Sequence, residues 1–213
     1  AVENADVENY TLADVVTEVQ YENFLKNPIE THETNVMGTI NLLECIRKIN
    51  KKIIFIYSSS DKAYGELNNR SEYKEDDKLD ATYPYDVSKS ASDIICQSYS
   101  KTYSLKVGII RSGNIYGPGD LNLKRLIPEV IISSIENKRF KIRSSGKLLR
   151  DYVYVDDVVD AYLKVYKKLK NSKNLLKVYN VSSKYNYSVI NIVKIILKYM
   201  NKNNLKPLIM NHS

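Results

Sequence analysis

The chain has 213 residues, 43% of them hydrophobic and 27% charged, with 32 Lys+Arg against 25 Asp+Glu and a net charge of +7. A length of this kind buries a real core without disulfide staples, so small cysteine-knit folds are excluded. No run approaches the roughly 20 apolar residues needed to cross a bilayer, and Ala1 to Asp6 carry acid rather than a basic, then apolar, leader; a cytoplasmic protein with no membrane partner is expected.

From Thr31 onward the pattern is periodic. Glu33 to Asn50 places Val36, Ile40, Leu43, Ile46 and Ile49 at helical spacing. The run Ile53 to Tyr57 that follows is too short for a helix and rich in β-branched residues, so it reads as a buried strand. Asp86 to Tyr103 reads as a second helix and Lys106 to Arg111 as a second buried strand. Helix alternating with an all-apolar strand predicts an α/β fold, an open sheet of parallel strands. Beyond Gly119 the rhythm loosens. Leu126 to Glu136, Asp156 to Leu169 and Val189 to Met200 read as helices, and Phe140 to Arg143, Tyr152 to Val155 and Val178 to Ser182 as short strands. Residues 1–120 would form the sheet domain, and 121–213 a small α/β portion partly interleaved with it.

Cys45 and Cys96 both fall in helical apolar patterns, which predicts two buried, reduced thiols and no structural zinc site. No metal is expected. The excess positive charge is Lys spread along the chain and interleaved with Asp and Glu, without a basic stripe or interleaved aromatics, so no nucleic-acid partner is expected.

In open α/β sheets ligands sit at the carboxyl ends of strands. The first strand is followed by Ser58-Ser59-Ser60-Asp61-Lys62, and the second by Ser112-Gly113-Asn114-Ile115-Tyr116-Gly117-Pro118-Gly119. These two loops are expected to line one crevice. Tyr85 and Lys89 stand four apart at the start of the second helix, where an ammonium beside a phenol favours the phenolate. With 18 Tyr and 25 Lys in the chain, chance supplies about two Tyr-x-x-x-Lys matches. The other match, Tyr166 and Lys170, lies in a Lys-rich helix with no such loop nearby. A serine hydroxyl within reach of a Tyr–Lys pair holds an alcohol oxygen while the phenolate takes its proton.

Five blocks in order carry a resemblance: Thr34 to Glu44, Ser58 to Gly65, Pro84 to Lys89, Gly113 to Asp120, and Arg150 to Asp157. Together they resemble the extended short-chain dehydrogenase/reductase family, and within it the NAD-dependent nucleotide-sugar epimerases and dehydratases. The resemblance implies a Rossmann-like parallel sheet with helices on both faces, NAD as cofactor and a nucleotide-diphosphate sugar as substrate. It implies Tyr85 as the base for the sugar 4-hydroxyl, Lys89 as the holder of the nicotinamide ribose, and Ser60 on the same hydroxyl. Asn35, Ser58 and Ser59 would lie at the cofactor, and Asn114, Arg125, Leu126 and Arg150 would hold the nucleotide part. A homodimer through helices 33–50 and 86–103 is also implied. Without the family, Asn35 and Asn114 read as caps and Arg150 as a surface partner of Asp151.

Asp61-Lys62 bears on the reaction. Loss of water from C5 and C6 needs one group to take the C5 proton and one to protonate the departing oxygen. An acid followed by a second proton carrier resembles the 4,6-dehydratases, and Asp-Lys the CDP-glucose 4,6-dehydratase branch; a 4-epimerase, a non-catalytic assembly module and a plain loop ion pair are the alternatives. None of the seven Gly forms the Gly-x-x-Gly-x-x-Gly turn that approaches a pyrophosphate. The chain is therefore expected to lack the family's first βαβαβ unit, with Asp14 to Gln20 as a remnant strand, to stop short at its far end, and to bind NAD weakly by itself.

Overall fold

The computed structural model describes residues 12–13, 27–66, 72–183 and 185–210. The chain divides into two compact units, Ala1–Ser112 with Val158–Val181, and Gly113–Asp157 with Ser182–Ser213. The division falls at 112/113 rather than at 120, and the chain returns to the first unit because the helix and strand of 158–181 complete that unit's sheet. The segment Asp14 to Gln20 lies outside the described residues.

The first unit is built on four parallel strands in the order β1-β2-β3-β7, comprising β1 (Leu12–Ala13), β2 (Ile54–Ser60), β3 (Lys106–Ser112) and β7 (Leu176–Val181). Alternation along β2 and β3 serves two faces. Phe55, Tyr57, Val107 and Ile109 are buried against Leu43 and Ile46 of helix α2 (Gly38–Ile49) and Cys96 of helix α3 (Pro84–Tyr103). On the other face Ile54, Ile56 and Ile110 pack on Val165 and Leu169 of helix α5 (Val155–Lys170). Gly108 permits that approach, since a Cβ there would stand 2.6 Å from Val165 Cγ1. This is the expected Rossmann-like arrangement of helices on both faces of a parallel sheet.

Two local features depart from the periodic reading. A short helix α1 (Pro28–His32) runs into a π-helical turn, Glu33–Met37, before α2 begins. And β2 continues through the three serines, with Ser58, Ser59 and Ser60 in register with Ile110, Arg111 and Ser112, rather than ending in a loop. The neighbouring strand supplies the ladder bonds that polar side chains do not forbid. A 3₁₀ turn, Asp61–Tyr64, follows at once. Cys96 is buried as expected, but Cys45 is exposed; it lies between the inward positions Leu43 and Ile46, rotated off the apolar stripe of α2.

In the second unit, strand β4 (Asn114–Tyr116) pairs with β6 (Leu149–Tyr154), and β6 with β8 (Asn186–Ser188). Strand β5 (Lys141–Ile142) pairs with β9 (Leu208–Ile209). Val130 of helix α4 (Leu126–Ile135), Val193 and Leu197 of helix α6 (Val189–Tyr199), and Phe140 and Ile142 form its core. No described helix is long and apolar enough to cross a membrane.

Candidate active site

The carboxyl end of β2 meets the amino end of α3. Lys89 is 2% exposed, its Nζ donates to the Ser58 carbonyl at 2.9 Å, and the ammonium lies 5.2 Å from the centre of the Tyr57 ring. A buried ammonium is costly unless partnered, and a strand-end carbonyl and an aromatic face supply that here. Tyr85 lies one helical turn earlier on the same face of α3, half-buried in the first turn. Ser60 Oγ accepts from the Lys62 amide at 3.2 Å, capping the 3₁₀ turn, and donates to Asp61 Oδ1 at 3.1 Å.

The three serines separate by strand alternation. Ser59, expected beside the cofactor, turns instead toward α3, where its hydroxyl donates to Asp93 Oδ2 at 2.8 Å. Asp93 is also gripped by Arg111, Nε at 2.8 Å and Nη2 at 2.9 Å, with both side chains buried. Burial works against the Arg111 charge, but the Asp93 hydrogen bonds and charge outweigh it and raise the guanidinium further. Arg111 Nη1 reaches the Tyr64 hydroxyl at 2.7 Å and the Glu75 carbonyl at 3.0 Å. Tyr64 in turn donates to Asn180 Oδ1 at 2.7 Å and stacks on Tyr73 with ring centres 4.6 Å apart. This buried network and the next residue were not anticipated.

Asp86, immediately after Tyr85, is half-buried where α3 packs against the Asp61–Tyr64 turn. Burial pushes its carboxyl up, the Lys62 ammonium pulls it down and the Asp61 carboxylate pushes it up again. The signal that could have found it is its place beside Tyr85, in the turn that faces Asp61 and Lys62. Asn35 sits in the π-helical turn, 6% exposed, and donates from Nδ2 to Ser88 Oγ at 2.9 Å; it is not a helix cap.

In the second unit, Asn114 donates from Nδ2 to the Asp151 carbonyl at 3.1 Å, tying β4 to β6. The Asp151 carboxylate accepts from the Ser183 amide at 2.8 Å and hydroxyl at 2.7 Å. Arg150, half-buried and opposite Tyr187, faces the other way, and its charge lowers a Tyr152 phenol that burial raises. Arg125 is exposed and pairs with Asp120 at 3.2 Å, just before α4. Leu126 opens α4, packed against the Val130–Phe140 core. Among the described residues no three His, Cys, Asp or Glu gather to hold a metal ion.

The model of the NAD dependent epimerase/dehydratase family matches residues 10–182. The chain is 33% identical over 186 residues to a dTDP-D-glucose 4,6-dehydratase of Dictyostelium discoideum, covering 83% of this chain and 42% of that protein. It superposes on the dTDP-glucose 4,6-dehydratase of Bacillus anthracis, solved in complex with NAD, with TM-score 0.75 and 29% identity, covering 85% of this chain and 57% of that one. The UDP-glucuronic acid 4-epimerase of Bacillus cereus, in complex with UDP-glucuronic acid and NAD, gives TM-score 0.74 at 26% identity, over 84% of this chain and 55% of the other. The chain thus spans about half the length of these relatives. Matched along most of its own length by that family's model and carrying the Tyr85–Lys89 pair at the end of a serine strand, the chain belongs to the NAD dependent epimerase/dehydratase family.

Proposed function

We propose that the protein is part of a nucleotide-sugar 4,6-dehydratase that uses NAD, of the kind that acts on CDP-glucose. The observation that carries this reading is the meeting of two stretches: Lys89, one turn beyond Tyr85, bonds the Ser58 carbonyl on the strand that leads straight into Ser60-Asp61-Lys62. The donor set suits the nicotinamide half of NAD, since a buried ammonium and a neighbouring phenol match the ribose hydroxyls. When bound, NAD would accept a hydride from the sugar C4 and return it at C6.

Tyr85 takes the proton of the 4-hydroxyl as the C4–H bond is lost, and Lys89 favours the phenolate that does so. Ser60 Oγ holds the same oxygen in place. The 4-ketone so formed acidifies the proton on C5. Lys62 removes that proton, and Asp61 delivers one to the C6 oxygen, which leaves as water. The Asp86 carboxyl, raised by burial and facing the Lys62 and Asp61 charges, adds a third ionisable group beside this pair. Asn114, Arg125, Leu126 and Arg150 would hold the nucleotide diphosphate, Arg150 because a guanidinium matches a diphosphate bidentately. The exposed apolar residues Met37, at the end of the π-helical turn, Ile49 of α2 and Ile94 of α3 support pairing of two copies through these helices.

A 4-epimerase is the second reading, supported by the likeness to the UDP-glucuronic acid 4-epimerase, since Tyr85, Lys89 and Ser60 serve C4 oxidation in either reaction. Incubation of the protein with NAD and CDP-glucose or dTDP-glucose separates them. A 4-keto-6-deoxy product supports dehydration, and a product differing only in C4 configuration replaces it with epimerisation. Lys62→Ala is expected to slow formation of the keto-deoxy sugar while sparing C4 oxidation, and unchanged product formation refutes the role given to Lys62.

A further inference from the structure

Along the chain the lysines alternate with acids, but the fold sorts them. In a parallel sheet each crossover helix ends beside the start of the next strand, so helix C-termini and strand starts share one rim of the first unit. Helix α2 ends at Ile49 and β2 starts at Ile54, α3 ends at Tyr103 and β3 starts at Lys106, and α5 ends at Lys170 and β7 starts at Leu176. The first of these junctions exposes Lys48, Lys51 and Lys52, and the second exposes Lys101. The third exposes Lys167, Lys168, Lys170 and Lys173. Lys106 ties two junctions together, its Nζ donating to the Leu169 and Lys170 carbonyls at 3.0 and 3.3 Å.

Over residues 43–53, 100–107 and 164–177 the sequence holds one carboxylate, Glu44, and Arg47 and Lys48 engage it at 2.7 and 3.4 Å. Lysines in a last helical turn complement the helix dipole, but Lys51, Lys52 and Lys173 stand beyond those turns, where that effect fades. The carboxyl ends of the same strands carry the opposite sign. Glu72, Glu75, Asp76 and Asp80 are exposed there against Lys74 and Lys78. Arg111 and Asn180 fix that segment: the Glu75 carbonyl accepts from Arg111 Nη1 at 3.0 Å, the Glu75 carboxylate from the Asn180 backbone amide at 2.9 Å, and the Tyr73 carbonyl from Asn180 Nδ2 at 3.0 Å. The seven residues of β2 separate the two rims by about 20 Å. Charges are screened beyond about 8 Å at physiological salt, so the acids do not neutralise the lysines.

We propose that the strand-start rim of the first unit is a docking face for an anionic lipid surface. Its cations stand on both helical layers, α2 and α3 on one face of the sheet and α5 on the other. They therefore cover an area, as anionic headgroups do, rather than the single groove that a nucleic-acid strand follows. Lysine supplies a point charge that needs no planar partner. The same surface repels the acidic rim, which points away from it together with Tyr85 and Lys89 beside the carboxyl end of β2. The contact is electrostatic, so salt reverses it.

The test uses the whole chain and no sugar, so it is independent of the proposed reaction. Sedimentation with phosphatidylcholine vesicles carrying about 30% phosphatidylserine, against phosphatidylcholine alone, is expected to show binding to the first only, lost when salt is raised to about 0.5 M. Lys51→Gln with Lys52→Gln, and Lys167→Gln with Lys170→Gln, are each expected to weaken binding by about 25-fold, at about fivefold per lysine near the surface. Lys74→Gln with Lys78→Gln removes the same charge from the other end and is expected to leave binding within about twofold of wild type. On the vesicles, amide exchange is expected to slow over 48–53 and 167–175 and to stay unchanged over 72–80. No binding to the anionic vesicles, an equal loss in Lys74→Gln with Lys78→Gln, or protection of 72–80 in place of the rim overturns the proposal. So does tighter binding of a single-stranded oligonucleotide than of the anionic vesicles at equal salt, which assigns the rim to nucleic acid instead.

Discussion

Asp93 and Arg111 form a buried ion pair whose disruption has a calculable cost. Asp93 is 0% and Arg111 3% exposed, and the guanidinium meets the carboxylate through two bonds of 2.8 and 2.9 Å. Arg111→Met leaves a carboxylate in the core with Ser59 and Gln97, each at 2.8 Å, as its remaining side-chain donors among the described residues. Breaking a buried pair by removing one partner costs about 3–5 kcal/mol. Asp93→Asn leaves Arg111 uncompensated and costs a similar amount, while Ser59 and Gln97 can still bond the amide. The double variant has no stranded charge, so it is expected to lose no more than the worse single variant, a coupling of about 3 kcal/mol. Against a total stability of about 5–15 kcal/mol this is large enough to resolve in urea unfolding followed by circular dichroism. Single-variant losses that add to within about 0.5 kcal/mol in the double variant would refute the reasoning, because independent sites add in that way.

Glu44 takes two bonds from Arg47, at 2.7 and 2.8 Å, and one from the Tyr99 hydroxyl at 3.0 Å. Arg47 above all holds its carboxyl down, from the ordinary 4.5 to about 2. Its contribution to stability is complete above the unfolded value and is lost as pH falls from 4.5 through about 2, a slope that Glu44→Gln should remove in acid-unfolding curves. Asp86 has the opposite sign: burial raises its carboxyl, the folded state keeps the proton longer, and stability falls as pH rises above the ordinary 3.8. Asp86→Asn should therefore raise the melting temperature at neutral pH and leave it unchanged near about pH 3; no gain at neutral pH would contradict the burial argument. Gly65 has φ +78°, and a Cβ there would stand 2.2 Å from the Asp80 carbonyl oxygen, so Gly65→Ala is expected to cost about 1–3 kcal/mol in urea unfolding. Tyr85→Phe should slow C4 oxidation by about 10²–10⁴-fold, the range of general base catalysis, in a single-turnover assay of reduced cofactor.

The sheet was legible because its signals are local. The run Ile53 to Tyr57 is apolar and β-branched, and Glu33 to Asn50 and Asp86 to Tyr103 repeat at the helical period. Features that depend on distant partners were not. Ser58 to Ser60 look like a loop until Ile110 to Ser112 pair with them and Asp93 accepts from Ser59. Strands β4 and β8, three residues each, exist through ladders to β6. The π-helical turn is held by Thr39 and by Ser92, which is 57 residues from Asn35. Of the candidate site, Tyr85 and Lys89 drew notice by their place at a helix start and Ser60, Asp61 and Lys62 by theirs after an apolar run, while the roles proposed for them came from the resemblance. Asp86 drew none, since one carboxylate among many carries no signal until the fold sets it beside Asp61 and Lys62.

The helix that holds Tyr85 and Lys89 is buried in an unusual way. Of its seven buried residues only Cys96 is apolar; the others are Ser88, Lys89, Ser90, Ser92, Asp93 and Ser100. Apolar packing is non-directional, so a helix seated on leucines can settle into neighbouring positions at small cost. Hydrogen bonds fix distance and angle, and each buried donor or acceptor left unmade costs about 1–3 kcal/mol. A shift of α3 along its axis by one residue would break at once the bonds of Ser88 to Asn35, Lys89 to Ser58, Ser92 to Asn35 and Asp93 to Ser59 and Arg111. Apolar packing along this helix is thus left to Cys96 with the partly buried Ile95 and Tyr99, and the polar contacts fix a single register. Proton transfer is sensitive to small displacements, so a polar seat suits a helix whose first turn carries the proton acceptor proposed above.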